Sequence, residues 1–271
     1  MGRVLKIGLF TLPLIAAAWF FGTVCWRLEA GHVLLAWTAR DIAPLLRDLV
    51  LALAVLALTS GIVALLFQHL WMAGVAFALS GLAMLLSWGV TPTHALLTLL
   101  FVLAGLAHCA LTQRDLTQRL RFSVGAVALS QLGLLLLLAA VAAAALYLGA
   151  AGYIREQGFS IPEQYSSEFA ERLASRVAAP FPSLIREQVY NTVRNYAEQL
   201  LTEELKELLE PLSPYLPPAA ALALFLPLLA VCFALSLLTL PVLWLLLALL
   251  LGVGVIRTAT ESVQMERVVL L

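Results

Sequence analysis

The chain has little of what soluble enzymes and binding modules usually depend on. Only 12% of its 271 residues are charged, against about 25% in an ordinary soluble domain. Acids and bases balance to a formal charge of zero, so no bulk field draws it to nucleic acid. The three cysteines, Cys25, Cys109 and Cys232, lie far apart in apolar runs with no CxxC spacing, which excludes a disulfide framework or a thiolate metal site read from spacing. HExxH, GxSxG, P-loop and dinucleotide fingerprints are missing, and the common soluble chemistries go with them. Asp, Glu, Lys and Arg are also missing from the interior of every long apolar run. Coupled transporters, proton relays and intramembrane aspartyl proteases need such groups. No long internal repeat supports an inverted-repeat transporter.

What is present is apolar surface: 62% of the residues are hydrophobic, far above the soluble norm. About 20 apolar residues cross roughly 30 Å of hydrocarbon as a helix, and on that rule spans fall at 5–26, 48–67, 70–89, 94–111 and 122–150. Arg3 and Lys6 precede a first run too long for a cleaved leader, so it reads as a retained signal anchor. Residues 27–47 mix Leu, Val and Trp with Arg27, Arg40 and Arg47, a composition suited to lying along the interface. Asp41 suits an N-cap for the second span, with Pro44 in its first turn.

The last apolar stretch, 219–256, holds 38 residues without a charge. As one helix it would be about 57 Å long, well beyond the hydrocarbon thickness. A helical hairpin turning near Ser236, Thr239 and Pro241 is therefore the favoured expectation, and one long helix kinked at Pro227 and Pro241 the alternative. The fold class expected is all-α: a polytopic integral membrane bundle of six or seven transmembrane helices with a small two-helix extramembrane module. Its parts are a five-helix bundle over 1–152, the module over 153–217, the hairpin or long helix over 218–256, and a short polar tail over 257–271.

Residues 153–217 carry ten acids and six bases, leaving six acids and ten bases for all the rest. SIPE (160–163) has the form of a capping box, and Tyr165, Phe169, Leu173 and Val177 follow at every fourth position as one apolar stripe. APFP (179–182) ends that helix. A second is expected over 183–210, with Ile185, Val189, Val193, Tyr196 and Leu200 on one face, and PLSPYLPP (211–218) reads as an extended, stiff connection. Two narrow stripes bury little surface against each other, so each seeks further cover. Tyr165, Phe169, Val189 and Tyr196 are the candidate partner-contacting residues.

LTQRDLTQRLRF (111–122) places Arg114, Arg119 and Arg121 between two spans. Basic residues accumulate in short cytoplasmic loops, so this turn and the N-terminus are assigned to the cytoplasm and the 153–217 module to the outside of a plasma (inner) membrane. The hairpin would return the tail to the module's side. Arg27, Arg40 and Arg47, on the outer side in this scheme, argue the other way.

Four histidines complete the inventory: His32, His69, His94 and His108. His94 and His108 are fourteen apart on one helix, so they fall within about 40° of one face and about 21 Å from each other. Paired as His32 with His94 and His69 with His108, they could hold two b-haems, a spacing that resembles that of the cytochrome b class of proteins. The resemblance covers one helix and no flanking motif. The principal expectation is a non-enzymatic accessory or scaffold subunit, without a cofactor, whose partners are the lipid bilayer and a membrane protein or a second copy. A b-haem electron-transfer subunit and a passive channel or lipid-handling protein are the alternatives.

Overall fold

A computed structural model describes residues 3–30, 39–67, 69–118, 124–157, 163–200 and 210–253. Every regular element among them is helical: α1 (Arg3–Glu29), α2 (Ala39–Leu66), α3 (Leu70–Trp88), α4 (Pro92–Gln118), α5 (Ala128–Gln157), α6 (Glu163–Ala178), α7 (Ser183–Gln199) and α8 (Leu216–Gly252), with 3-10 turns at Val124–Val127 and Glu210–Tyr215. Six of these helices, all except α6 and α7, contain segments long and apolar enough to cross a membrane.

The core of the bundle is Leu14, Phe21 and Leu28 of α1, Leu49, Leu53 and Leu56 of α2, Phe77, Met84 and Trp88 of α3, Phe101 of α4, and Leu135 and Leu138 of α5. Small residues set the closest approaches. At Gly22 a methyl group would lie 2.6 Å from the Met84 carbonyl oxygen, so only glycine lets α1 and α3 meet there. A methyl at Gly149 of α5 would likewise collide with the backbone of Glu29, and one at Gly105 with the Phe77 ring.

Contacts between distant residues orient the helices. Arg27 pairs with Asp48 at 3.0 Å, so the C-terminal end of α1 lies beside the N-terminal part of α2. The Gln113 amide donates to the Phe67 carbonyl at 2.6 Å, which joins the C-terminal ends of α4 and α2 at the opposite, LTQR end. α8 runs antiparallel to α5: Leu222 shares a groove with Tyr147, the Cys232 thiol reaches the Leu135 carbonyl, and Leu243 packs with Val127 and Leu65. α5 therefore ends and α8 begins at the Glu29 end, and α8 ends at the LTQR end.

The hairpin expected over 219–256 is not formed; α8 is one continuous helix. Three physical reasons account for this. The Ser236 and Thr239 hydroxyls, read as turn signals, donate to the carbonyls of Phe233 and Ser236 one turn back, so they are satisfied within the helix. Leu224, Leu228, Cys232, Ser236, Thr239, Leu243 and Leu247 form one unbroken buried stripe, which a hairpin would divide. Finally, the 21 residues from Leu222, beside Tyr147, to Leu243, beside Val127, rise about 32 Å, close to the hydrocarbon thickness, and the remaining length lies beyond the two ends. The consequence is that the chain leaves α8 at the end opposite the 153–217 region, whereas the hairpin would have put both on one side.

Smaller corrections concern the joins. α2 begins at Ala39, two residues before Asp41, so Asp41 is inside the helix and not its cap. Of the segment expected to lie along the interface, 27–29 completes α1, 39–47 belongs to α2, and 31–38 lies outside the described residues. The PLSPYLPP connection is not extended: Glu210–Tyr215 is a 3-10 turn and α8 starts at Leu216. Pro217 and Pro218 fit its first turn, where the backbone N–H has no intrahelical acceptor to lose.

Candidate functional site

The bundle contains two polar clusters. The first is built by the short link from α3 to α4. Gly89, with φ 122°, ends α3 through its N–H to the Leu85 carbonyl, a left-handed conformation that glycine adopts without strain. Thr91 then caps α4, its hydroxyl accepting from the His94 N–H at 3.2 Å while Pro92 occupies the first helical position. This tight path folds the His94 ring back over Trp88, with centroids 4.4 Å apart and planes 15° from parallel.

Glu29, in the last turn of α1, completes the cluster. One carboxylate oxygen, Oε2, accepts from Trp88 Nε1 at 2.7 Å and lies 2.8 Å from His94 Nε2. His94 Nδ1 is 2.9 Å from the Gly89 carbonyl oxygen. A carbonyl can only accept, so Nδ1 carries a hydrogen. Nε2 and the carboxylate must then hold one further proton between them, as an imidazolium–carboxylate pair or as a carboxylic acid donating to imidazole. An acid at the C-terminal end of α1 and a cation in the first turn of α4 are each disfavoured by their own helix dipole, so each depends on the other. Gly149 closes the cluster from α5. At the same end Asp48 accepts from both Arg27 and Arg47, an exposed arrangement of small energetic weight.

The second cluster lies inside the bundle between α2, α4 and α5. His108 Nδ1 is 2.9 Å from the Ser130 hydroxyl, which also meets Thr112 Oγ1 at 3.0 Å and the Val127 carbonyl at 3.1 Å. Gln131 donates to the Ala57 carbonyl at 2.9 Å, which also accepts from Ser60. His108 is 1% exposed and Gln131 fully buried, yet His108 Nε2 and Gln131 Oε1 have no hydrogen-bond partner among the described residues. Such interhelical bonds hold membrane helices together at roughly 0.6 kcal/mol each.

The histidines therefore separate. His94 and His108 share α4, but one faces α1 and α3 and the other α5, and His69 is exposed at the start of α3. No contact joins any two of the described histidines, and His32 lies outside the described residues. For axial ligation through Nε2 His94 would have to release Glu29, while its Nδ1–H could stay on the Gly89 carbonyl; no hydrogen bond is made by His108 Nε2 among the described residues. Among the described residues no group of three or more metal-ligating side chains converges, and the three cysteines are buried and unpaired. Arg114 is on α4; Arg119 and Arg121 lie outside the described residues.

In the α6/α7 pair the seam between the helices is made by small residues. Ala170, Ala174, Ala178 and Ala197 are buried between the helices, because alanines at every fourth position let two backbones approach closely. Leu173, Val177, Phe181 and Ile185 stay exposed, Tyr196 is 64% exposed, and Val189 is half-buried. The side chains of Tyr165 and Phe169 lie outside the described residues. Arg186 donates to the carbonyls of Phe181 and Ala179 and holds the turn.

Sequence reasoning did not find either cluster. Glu29 counted only as an acid near the interface, and only full charges were sought within spans. Neutral Thr112, Ser130 and Gln131 beside His108 were the missed signal. No family model, curated protein or solved structure matches this chain.

Proposed function

We propose that this protein is a non-enzymatic accessory or scaffold subunit of a plasma (inner) membrane, and that it uses the bundle to hold the α6/α7 hairpin outside the bilayer for a membrane-protein partner or a second copy. The observation that carries this reading is the hairpin's small-residue seam. Alanines are buried inside, while Tyr196 is left in the open and Val189 only half-buried, side chains of the kind that mark an interaction surface. The bundle's own polar groups support it from the other direction. Glu29, Trp88 and His94 are engaged with one another, and Ser130 is shared among three partners, so both clusters tie helices together. The arginines of the LTQR turn support assigning that end of the bundle, and with it the end of α8, to the cytoplasm.

The test is the mass of the assembly extracted in mild detergent. A complex larger than the 29.3 kDa chain should form and fall to the monomer in Val189→Asp and Tyr196→Asp, with the helical signal of the bundle unchanged. A wild-type protein that is monomeric on extraction and in nanodiscs would overturn the reading.

A further inference from the structure

The charge of the hairpin is divided along its length. Ten acids lie within 153–217, but none falls in the 15 residues from 172 to 186, which contain three of the six bases, Arg172, Arg176 and Arg186. That stretch is the hairpin's far end: the last turns of α6, the turn at 179–182 and the start of α7. It is also where Leu173, Val177, Phe181 and Ile185 are exposed. Arginines beside exposed aliphatic and aromatic side chains, with the nearest acids, Glu171 and Glu187, at the two edges of the stretch, is a composition suited to an anionic headgroup layer: guanidinium groups meet phosphate oxygens while the apolar side chains reach the acyl boundary. The tethering points the same way. Only residues 158–162 separate α5 from α6, and α7 returns through Glu210–Tyr215 to α8, so both arms of the hairpin are joined to membrane-spanning helices at the Glu29 end. A hairpin about 24 Å long held at that level has its tip within reach of the surface when it reclines.

We infer that the tip of the α6/α7 hairpin, residues 172–186, docks into the anionic headgroup layer of the bilayer that holds the bundle. This rests on the placement of the hairpin outside the hydrocarbon. Docking by the tip leaves the acidic arms and Tyr196 for the protein partner, so lipid and partner contacts are divided between two parts of one module.

The native cysteines are buried, so the full chain can be labelled with an environment-sensitive fluorophore at Phe181→Cys, and independently at Val177→Cys. The labelled protein is placed in nanodiscs of neutral phosphatidylcholine or of phosphatidylcholine with phosphatidylglycerol, with bromine on the acyl chains. Docking predicts blue-shifted, bromine-quenched emission in the anionic discs, lost in the neutral discs and in an Arg172→Gln, Arg176→Gln variant. Water-like, unquenched emission at both positions in both lipids would overturn it, as would equal quenching in both. Quenching only by separately added brominated vesicles would indicate an opposed bilayer, and shielding only in native membranes a protein partner; either overturns the inference. A second label at Gln188→Cys separates the two readings. If a membrane-impermeant reagent reaches it while the tip is unquenched, the tip docking alone fails; if deep bromines quench it in every lipid, the hairpin is in the hydrocarbon and its placement outside fails.

Discussion

The polar cluster at the Glu29 end and the one around His108 use their hydrogen bonds differently. At the first, side chains from α1, α3 and α4 meet, and both nitrogens of His94 and the indole of Trp88 are bonded. At the second, deeper in the bundle, His108 Nε2 and Gln131 Oε1 are left over. Water can reach the first, since the Glu29 side chain is 30% exposed, and it cannot freely reach the second. The difference teaches which cluster holds the bundle together: deleting a group from a saturated cluster strands its partners, whereas deleting one from an unsaturated cluster removes a cost along with a bond.

Mutations can break or sharpen that contrast, with stability measured by SDS-driven unfolding in mixed micelles. Glu29→Ala leaves the Trp88 indole N–H and His94 Nε2 without their shared partner and should cost about 3 kcal/mol. Glu29→Gln should cost clearly less, because its amide oxygen can still accept from Trp88. Gly149→Ala pushes a methyl group into the Glu29 backbone and should cost about 2 kcal/mol, with part of the same loss because the carboxylate is displaced. Gln131→Leu should stay within about 1 kcal/mol of wild type, since it removes both the bond to Ala57 and an unpartnered oxygen. If it costs as much as Glu29→Ala, the contrast between the clusters is wrong. Arg27→Gln should change stability by less than about 1 kcal/mol, and by less still at high salt.

Much of this was readable residue by residue. The five apolar runs correspond to α1 through α5 because crossing hydrocarbon is a local, additive requirement on about 20 residues. The end of α6 at APFP was readable for the same reason, since proline acts on its own neighbours. The α8 hairpin was misread because Ser236 and Thr239 look like turn residues until their hydroxyls are seen bonded one turn back. The inner seam of α6 was not readable because hydrophobic periodicity ranks Leu173 and Val177 above alanine, while close approach of two helices favours Ala170, Ala174 and Ala178. Of the site, the His94 and His108 spacing was visible, but nothing local marked Glu29 as the neighbour of His94.

Composition and hydropathy alone determined that the chain is helical and suited to lipid, and that its charge gathers in one segment, because those properties are sums over neighbouring residues. Only the tertiary structure decided that Glu29 meets Trp88, 59 residues away, that Cys232 meets Leu135, 97 residues away, and that α8 returns to the LTQR end in one pass. Such meetings depend on how closely helices approach, and that is set by single glycines and alanines whose effect exists only when the opposite surface is in place.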